Sequence, residues 1–248
     1  PPPYTPAFGA DSSVVGRACT TAGDATAATK RMREAIDHVK VVKSDGMKRF
    51  GADDIRHAFT IASTPNISDA MHREGCMTGL QPLQQGLKAI GPALTVHTMD
   101  GDWAKPVEAI DECEPGTILV IQVDGTTKAV WGELASHTAK RLGLSGVIID
   151  GAMRDVDEIR KIGFPGWARV FRPNSGDPKG FGEIGTEILC GGQRVRTGDG
   201  VIADDNGIVV VPKEKAHEIA NRAVEVKEQE DRLRAEIDRG SSLSKVLK

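Results

Sequence analysis

The feature that most constrains this chain is the stretch Trp131–Asp155, WGELASHTAKRLGLSGVIIDGAMRD. It opens with a glycine-led turn that carries Glu133. It continues as a helix-like run over residues 136–141 and leads into the short apolar segment Val147–Ile149. A continuous apolar run bounded by turn residues is typical of a strand that is buried on both faces. A helix followed by such a strand predicts an α/β fold.

Charged side chains follow the predicted strand. We expect Asp150-Gly151 to form a sharp turn that leaves Arg154 and Asp155 just beyond the strand's carboxyl end, where open α/β sheets bind their ligands. Glu133 lies one α-β crossover earlier and can return to the same edge. A guanidinium suits an anionic substrate, and paired carboxylates suit Mg²⁺ or Mn²⁺. The alternative is a surface ion pair that closes the turn.

The rest of the chain divides into three predicted regions. Residues 1–52 form an N-terminal extension, loose up to residue 23 and helical over 24–47. Residues 53–212 form the α/β core, and residues 213–248 form a helical arm. The narrow apolar stripe of this arm fits packing on a neighbouring subunit better than burial in its own domain. Core helices are predicted over 53–61, 66–71, 103–112 and 156–162, and core strands over 89–96, 117–123, 164–171, 186–189, 193–195, 201–203 and 208–211.

The composition excludes several classes of protein. A net charge of −3 without a basic stripe argues against nucleic-acid binding, and the apolar runs are too short for a membrane span. The N-terminus lacks a secretory pattern, so we expect a cytoplasmic protein with reduced cysteines. His72, His97 and His137 are isolated, which disfavours zinc. No glycine-rich nucleotide motif and no nucleophile elbow is present.

The segment GELASHTAKRLGLSGVIIDGAMRD closely resembles the signature of the RraA-like family. The likeness continues at Ser68–Ala70, Gly91–Val96, Gly163–Pro165 and Ala203–Pro212, and it spans roughly residues 53–240. The family contains class II 4-hydroxy-4-methyl-2-oxoglutarate/4-carboxy-4-hydroxy-2-oxoadipate aldolases and the regulator of ribonuclease E activity. The first 50 or so residues fall outside the resemblance.

The resemblance implies an αββα sandwich like the swivelling phosphohistidine domain, with a C-terminal helical arm. It implies assembly as a homotrimer or a dimer of trimers. The implied activity is the cleavage of a 4-hydroxy-2-oxo acid to pyruvate with a divalent cation, Mg²⁺ or Mn²⁺, together with decarboxylation of oxaloacetate. The implied partner is therefore a small 2-oxo acid, with no nucleic acid and no membrane.

The resemblance also implies roles for residues of the opening stretch. Asp155 would be the direct metal ligand, and Arg154 would bind the keto or enolate oxygen of the substrate. Glu133 would lie near the metal through water and position a proton-carrying water. The backbone amides of Leu134 and Ala135, next to Gly132, would receive the pyruvyl carboxylate.

A carboxylate from another subunit would complete the implied site. Glu230 in the neighbour's C-terminal helix fits this role best, and Glu228 is the second choice. The simpler interpretation of these helix positions is solvent-facing charge. Both interpretations, a solvated charge and a ligand in a neighbour's site, stay open.

Two departures from the family pattern leave the substrate open. The loop Arg172–Glu183 is more elaborate than a plain aldolase needs, and the C-terminal ending looks more like the RraA-type domain fused to hexulose-phosphate synthases. Arg172 and Lys179 could bind a phosphate or a second carboxylate, or could be solvated loop charges. The alternative functions are therefore a lyase for a phosphorylated sugar acid, or a non-catalytic regulator that binds an RNA-processing enzyme.

Overall fold

The computed structural model describes residues 24–37, 50–51 and 54–247. The chain separates into two compact units, residues 1–52 and residues 53–248. In the first unit, helix α1 (Ala25–Asp37) begins where the Asp24 carboxylate accepts the N–H of Ala27 at 2.9 Å, a capping bond typical of helix starts. The helix predicted over 24–47 is confirmed as far as Asp37. Its remainder, and the loose arm predicted for 1–23, lie outside the described residues.

The second unit contains the predicted helices and strands in the predicted order, together with short elements that the sequence did not predict. Its helices are α2 (Ile55–Ile61), α3 (Thr64–Ala70), α4 (Ala104–Glu112), α5 (Glu133–Arg141), α6 (Val156–Ile162), α7 (Ala216–Asp238) and α8 (Leu243–Val246), with a 3₁₀ turn at Lys213–Lys215. Its strands are β1 (Gln81–Pro82), β2 (Ala89–Met99), β3 (Ile118–Asp124), β4 (Ala129–Trp131), β5 (Gly146–Met153), β6 (Gly166–Phe171), β7 (Glu183–Ile184), β8 (Ile188–Cys190), β9 (Gln193–Val195), β10 (Gly200–Asp204) and β11 (Gly207–Val211).

Parallel strands form the centre of the sheet. In the described part of the chain the strand order is β1-β6-β5-β3-β2-β10-β11, and β6, β5, β3 and β2 are mutually parallel. At the two sides of the sheet, β1 is antiparallel to β6, β10 is antiparallel to β2, and β11 is antiparallel to β10. β4 pairs with the second half of β5, and β7 pairs with β2. The carboxyl ends of β3, β4 and β5 therefore lie at one edge of the sheet, where α/β folds bind ligands.

The sheet curls until its two sides approach each other. The indole N–H of Trp167 on β6 donates to the carbonyl of Asp204 at the end of β10, at 3.3 Å. Helices α4, α5 and α6 bury one apolar cluster against the sheet, and the β8–β9 hairpin with β10 and β11 buries a second. The fold is therefore mixed α/β with a nearly closed sheet and a C-terminal helix. Its likeness to the phosphohistidine domain stays a prediction.

The C-terminal helix α7 differs from its prediction over its first turns. Ile219, Ala220, Ala223 and Val224 are buried, and this part of α7 packs on α2 and α3 of the same chain. The burial of these first turns in the chain's own domain was not predicted, and packing of the arm on a neighbouring subunit stays a prediction. The sequence stripe misled because the small alanines allow a close helix approach that a narrow apolar stripe does not reveal.

The turn expected at Asp150-Gly151 is also wrong. Both residues lie inside β5, and the pairing with β6 shifts register between Ile149 and Ala152. Asp150 is held in the strand because its carboxylate pairs with Arg169 on β6 and accepts the N–H of Gly191 at 2.7 Å. These partners are distant in sequence, so local turn propensity was overruled.

No helix within residues 24–37 or 54–247 is both long and apolar enough to cross a membrane.

Candidate active site

The turn that leads into α5 is fixed by its own side chains. Strand β4 ends at Trp131, whose indole N–H donates to Ser136 Oγ at 2.8 Å. Ser136 Oγ in turn donates to the carbonyl of Gly132 at 3.0 Å. Trp131 and Ser136 are both buried. The apolar ring and the hydroxyl therefore set the direction in which α5 starts.

Gly132 is required at this turn because the β5 tip comes very close. A Cβ placed on Gly132 would lie 2.5 Å from Asp155 Oδ2 and 3.3 Å from Arg154 Cγ. The missing side chain lets the first amide of α5, that of Glu133, donate to Asp155 Oδ2 at 3.1 Å. The two ends of the stretch 131–155 thus meet, as the sequence predicted.

Asp155 is held in a costly backbone conformation. It occupies the N-cap of α6, where an aspartate normally accepts an N–H of the helix, yet its side chain makes no such bond. Its φ of 57° lies in the left-handed region, which costs an L-residue free energy, although aspartate and asparagine adopt it more readily than most. The carboxylate instead faces Glu133 N–H and Arg154. Strain of this kind is often found at functional sites.

Arg154 is oriented by contacts on two sides. Its Nε lies 3.4 Å from Asp155 Oδ2, and its Nη1 donates to Ser175 Oγ at 3.1 Å. Its backbone N–H donates to the carbonyl of Trp131 at 3.0 Å, which ties the β5 tip to β4. Ser175 was not predicted, because it lies in an irregular loop 21 residues further along the chain.

The carboxylate of Glu133 has a histidine partner, although no partner was predicted for that histidine. His137 Nε2 lies 3.0 Å from Glu133 Oε1, one helical turn along α5. The i,i+4 spacing in a predicted helix was the signal that could have revealed this pair. His97 pairs with Asp124 at 2.9 Å.

Glu133, Arg154 and Asp155 line one pocket of about 330 Å³ at the carboxyl ends of β4 and β5. The wall of this pocket contains all six site residues that were predicted within one chain: Gly132, Glu133, Leu134, Ala135, Arg154 and Asp155. The facing wall comes from Trp103, Val107 and Ile110 of the α4 region, and the remaining lining from Ala129, Val130, Trp131, Thr138 and Ser175.

The loop Arg172–Glu183 is anchored on a buried carboxylate, that of Asp102. The two carboxylate oxygens of Asp102 accept hydrogen bonds from four backbone N–H groups, those of Ala104 at 3.1 Å, Lys179 at 3.0 Å, Gly180 at 3.3 Å and Phe181 at 2.8 Å. Burial acts to raise the pKa of Asp102, but these donors outweigh it and hold the pKa below its ordinary value.

The basic residues of this loop lie away from the pocket. Arg172 Nε donates to the carbonyl of Thr126 at 3.2 Å, and Lys179 uses its backbone N–H on Asp102. Neither side chain lines the pocket. The geometry therefore gives no support to a phosphate or second-carboxylate role for either residue at this site.

The second predicted metal ligand, Glu230, lies elsewhere in its own chain. Its Oε2 accepts Asn66 Nδ2 at 2.9 Å, and it does not line the pocket. Within the part of the chain that the structure describes, no group of three His, Cys, Asp or Glu side chains is placed to hold a metal ion. Asp155 Oδ1 has no hydrogen-bond partner among the described residues. Two carboxylates, Asp155 and Glu133, thus fit a hard cation that keeps several waters.

Comparisons with known proteins agree with the sequence motif. The family model described as Aldolase/RraA, RraA-like, matches residues 64–210. An uncharacterised protein of Methanocaldococcus jannaschii is 39% identical over 189 residues, 75% of this chain and 89% of that protein. A Halalkalibacterium halodurans protein named "Putative 4-hydroxy-4-methyl-2-oxoglutarate aldolase" is 33% identical over 167 residues, 66% of this chain and 80% of that protein.

A solved structure shares both fold and sequence likeness. It is that of Streptomyces coelicolor RraAS2, described as an unusual member of the RNase ES inhibitor RraA protein family. The TM-score is 0.65 at 28% identity, and the match covers 75% of this chain and 98% of that chain.

Proposed function

The chain belongs to the RraA-like family, and from that premise we propose that it is a divalent-metal-dependent lyase that cleaves a 4-hydroxy-2-oxo acid to pyruvate. One observation carries the proposal: Glu133, Arg154 and Asp155 converge on one pocket, with Asp155 held in a strained backbone that leaves its carboxylate available. A purely structural ion pair would not need that strain.

The start of α5 is suited to the substrate carboxylate. Leu134 and Ala135 belong to the first turn, whose N–H groups have no carbonyl four residues earlier within the helix. The positive end of the helix dipole adds to this preference for an anion. Gly132 lets Asp155 and Arg154 come close to these amides, so the charged groups and the helix start share one pocket.

Arg154 is placed to stabilise the charge that develops during cleavage. When the bond between C3 and C4 breaks, negative charge moves to the 2-oxo oxygen of the pyruvate enolate. A guanidinium already oriented by Ser175 and Asp155 donates to that oxygen without further reorganisation. The same enolate forms on decarboxylation of oxaloacetate, so both reactions use one arrangement.

Asp155 would hold the divalent cation, Mg²⁺ or Mn²⁺. We propose that Glu230 of a neighbouring subunit, or Glu228 as the second choice, completes the ligand set in a trimer or a dimer of trimers built from αββα subunits. Bound there, the cation would polarise the 2-oxo acid. Glu133 would position a water that accepts the C4 hydroxyl proton and delivers a proton to C3.

The test is an assay of pyruvate release. With 4-hydroxy-4-methyl-2-oxoglutarate or oxaloacetate, we expect release that requires Mg²⁺ or Mn²⁺ and stops in EDTA. Arg154→Ala should lower the rate by several orders of magnitude while the chain stays folded, because a charge-stabilising donor is lost. If this variant releases pyruvate at the natural rate, or if EDTA does not stop pyruvate release by the natural chain, the proposal is contradicted.

The competing function is that of a regulator without turnover. Its support is the likeness to the RNase ES inhibitor family member. A stoichiometric complex with an RNA-processing enzyme, combined with no pyruvate from any 2-oxo acid, would favour the regulator instead.

A further inference from the structure

Strand β5 carries an extra residue close to its carboxyl end. Three steps along β5, from Ile149 to Ala152, match only two steps along β6, from Ala168 to Val170. Such a β-bulge bends its strand and is common beside active sites, where it changes the direction of the side chains that follow. The side chains that follow this bulge are those of the candidate site.

Asp150 lies at the bulge, and its carboxylate is held on two sides. One oxygen pairs with the guanidinium of Arg169 on β6, and the other accepts the N–H of Gly191, in the turn between β8 and β9, at 2.7 Å. The Asp150 side chain is only 16% exposed, so water and salt screen these contacts little.

The backbone next to Asp150 is packed tightly as well. A Cβ on Gly151 would lie 2.5 Å from Val123 Cγ2 on β3, so this position has no room for a side chain. Val123 belongs to the apolar cluster under α4, α5 and α6, whereas the β8–β9 hairpin belongs to the second cluster. The bulge is therefore held from both faces of the sheet.

A short, well-fixed piece of chain joins the bulge to the site. Met153 is buried, its carbonyl accepts the N–H of Arg172 at 2.9 Å, and the N–H of Arg154 donates to the carbonyl of Trp131 at 3.0 Å. A slip of one residue at Asp150 would move this piece by about 3.3 Å along the strand. A displacement of about 1 Å can already lower a rate by about 10²-fold.

The ion pair at the bulge contributes direction more than stability. Burial of a carboxylate and a guanidinium costs hydration, which offsets most of their attraction. A carboxylate with two fixed donors on different elements, however, fits only one register of β5 against β6. Neither Asp150 nor Arg169 lines the pocket, so neither can act on a substrate directly.

We propose that Asp150, through Arg169 and Gly191, is a positioning residue that holds the β5 bulge in the register that directs Arg154 and Asp155 into the pocket. The inference rests on the proposed function, because it assigns a supporting residue to the same site. Its effect reaches the chemistry only through the two residues that it positions.

The experiment begins with Asp150→Asn, which keeps the shape of the side chain and an acceptor for Gly191 but loses the charge that pairs with Arg169. Mn²⁺ binding, measured by calorimetry without substrate, reports the position of Asp155. Pyruvate release from oxaloacetate with Mg²⁺ reports the whole site. We expect a dissociation constant for Mn²⁺ that is about tenfold higher and a kcat that is about tenfold lower, as is usual when a contact that orients a metal ligand is lost.

Asp199→Asn is the matched control. Asp199 is also buried, accepts the backbone N–H groups of Arg196 at 2.9 Å and Lys213 at 3.0 Å, and faces the Arg196 guanidinium at 4.0 Å. It lies outside the pocket. Because it shares no partner with the site, Asp199→Asn should change Mn²⁺ affinity and kcat by less than about twofold, even though it also destabilises the fold.

Substitutions of Arg169 test the same contact from its other side. Arg169→Met keeps most of the side-chain length without a donor and should reproduce the losses of Asp150→Asn. Arg169→Lys keeps a charged donor and should restore most of the Mn²⁺ affinity and most of kcat. These two variants keep the inference testable if Asp150→Asn does not fold.

The Mn²⁺ measurement separates positioning from general stability. Partial unfolding lowers the number of Mn²⁺ sites and leaves their affinity unchanged, whereas a displaced Asp155 lowers the affinity itself. Natural Mn²⁺ affinity and kcat in a folded Asp150→Asn variant would overturn the inference and leave the lyase in place. Equal losses in Asp199→Asn would overturn it too. If the natural chain neither binds Mn²⁺ nor releases pyruvate, the proposed function fails, and the inference with it.

Discussion

Asp102 and Asp155 have the same side chain and lie in neighbouring parts of the pocket's framework, yet their surroundings are opposite. Asp102 is 3% exposed and accepts four backbone N–H groups. The Asp155 side chain is 38% exposed, accepts one backbone N–H and faces one guanidinium from a left-handed backbone.

The difference separates a carboxylate that organises the fold from one that is available to a ligand. Asp102 fixes the loop that carries Ser175 and Gly176, and its acceptor sites are used by the chain itself. Asp155 leaves Oδ1 without a partner among the described residues, and its conformation costs stability. The first should therefore control folding free energy and the second should control chemistry.

The largest expected effect is on catalysis. Asp155→Asn should lower pyruvate release by about 10³-fold or more, because the amide keeps the shape but lacks the charge that holds a cation. The melting temperature should stay close to that of the natural chain, since asparagine tolerates the left-handed region. Steady-state kinetics measure the rate of pyruvate release, and calorimetry measures the melting temperature.

The control is Asp157→Asn, an exposed position on α6 outside the pocket. Equal losses of pyruvate release in the two variants would contradict a special role for Asp155.

The next effect is on stability. Asp102→Ala should lower the free energy of unfolding by about 3 kcal/mol, because several amides lose a charged acceptor in a place with little access to water. Urea unfolding measures the change. Asp111→Ala, at an exposed position on α4, should change it by less than about 0.5 kcal/mol. If Asp102→Ala unfolds at the same urea concentration as the natural chain, other contacts hold the loop.

A smaller effect is expected at the contact that joins the two regions. Ser175→Ala should reduce kcat by about tenfold with little change in stability, because Arg154 loses the hydroxyl that orients its Nη1. Ser175→Thr keeps a hydroxyl and should restore most of the rate. Were both variants equally slow, a packing role for position 175 would replace the orienting role.

The smallest expected effect is the loss of unfolding free energy at acid pH. The folded chain holds the pKa of Asp102 below its value in the unfolded chain, so the ionised group contributes stability above about pH 4. That contribution is lost as the pH falls through the lower, folded-state pKa. Between pH 7 and pH 3 the natural chain should lose more unfolding free energy than Asp102→Asn does. Parallel losses in urea titrations would contradict this assignment.

Much of the fold could be predicted from local patterns. The apolar run of β3 and that of Val147–Ile149, within β5, indicated buried strands, and the periodicity of residues 216–238 indicated a long helix. The proximity of Glu133, Arg154 and Asp155 followed from the rule that successive α/β units place their strand ends at the same edge of the sheet. The three-residue β4 escaped prediction, because a strand that short is defined by its partner β5 rather than by its own sequence.

The sequence by itself determined the order of helices and strands, the family, and the group of charged residues at the tip of Trp131–Asp155, since each depends on neighbours in the chain. Tertiary structure alone decided that β5 runs through Asp150-Gly151, that α7 begins on its own subunit, and that Ser175 and the apolar α4 wall face Arg154. These outcomes depend on contacts between segments far apart in sequence, such as the close approach of Gly132 to Asp155, and no local preference encodes such distances.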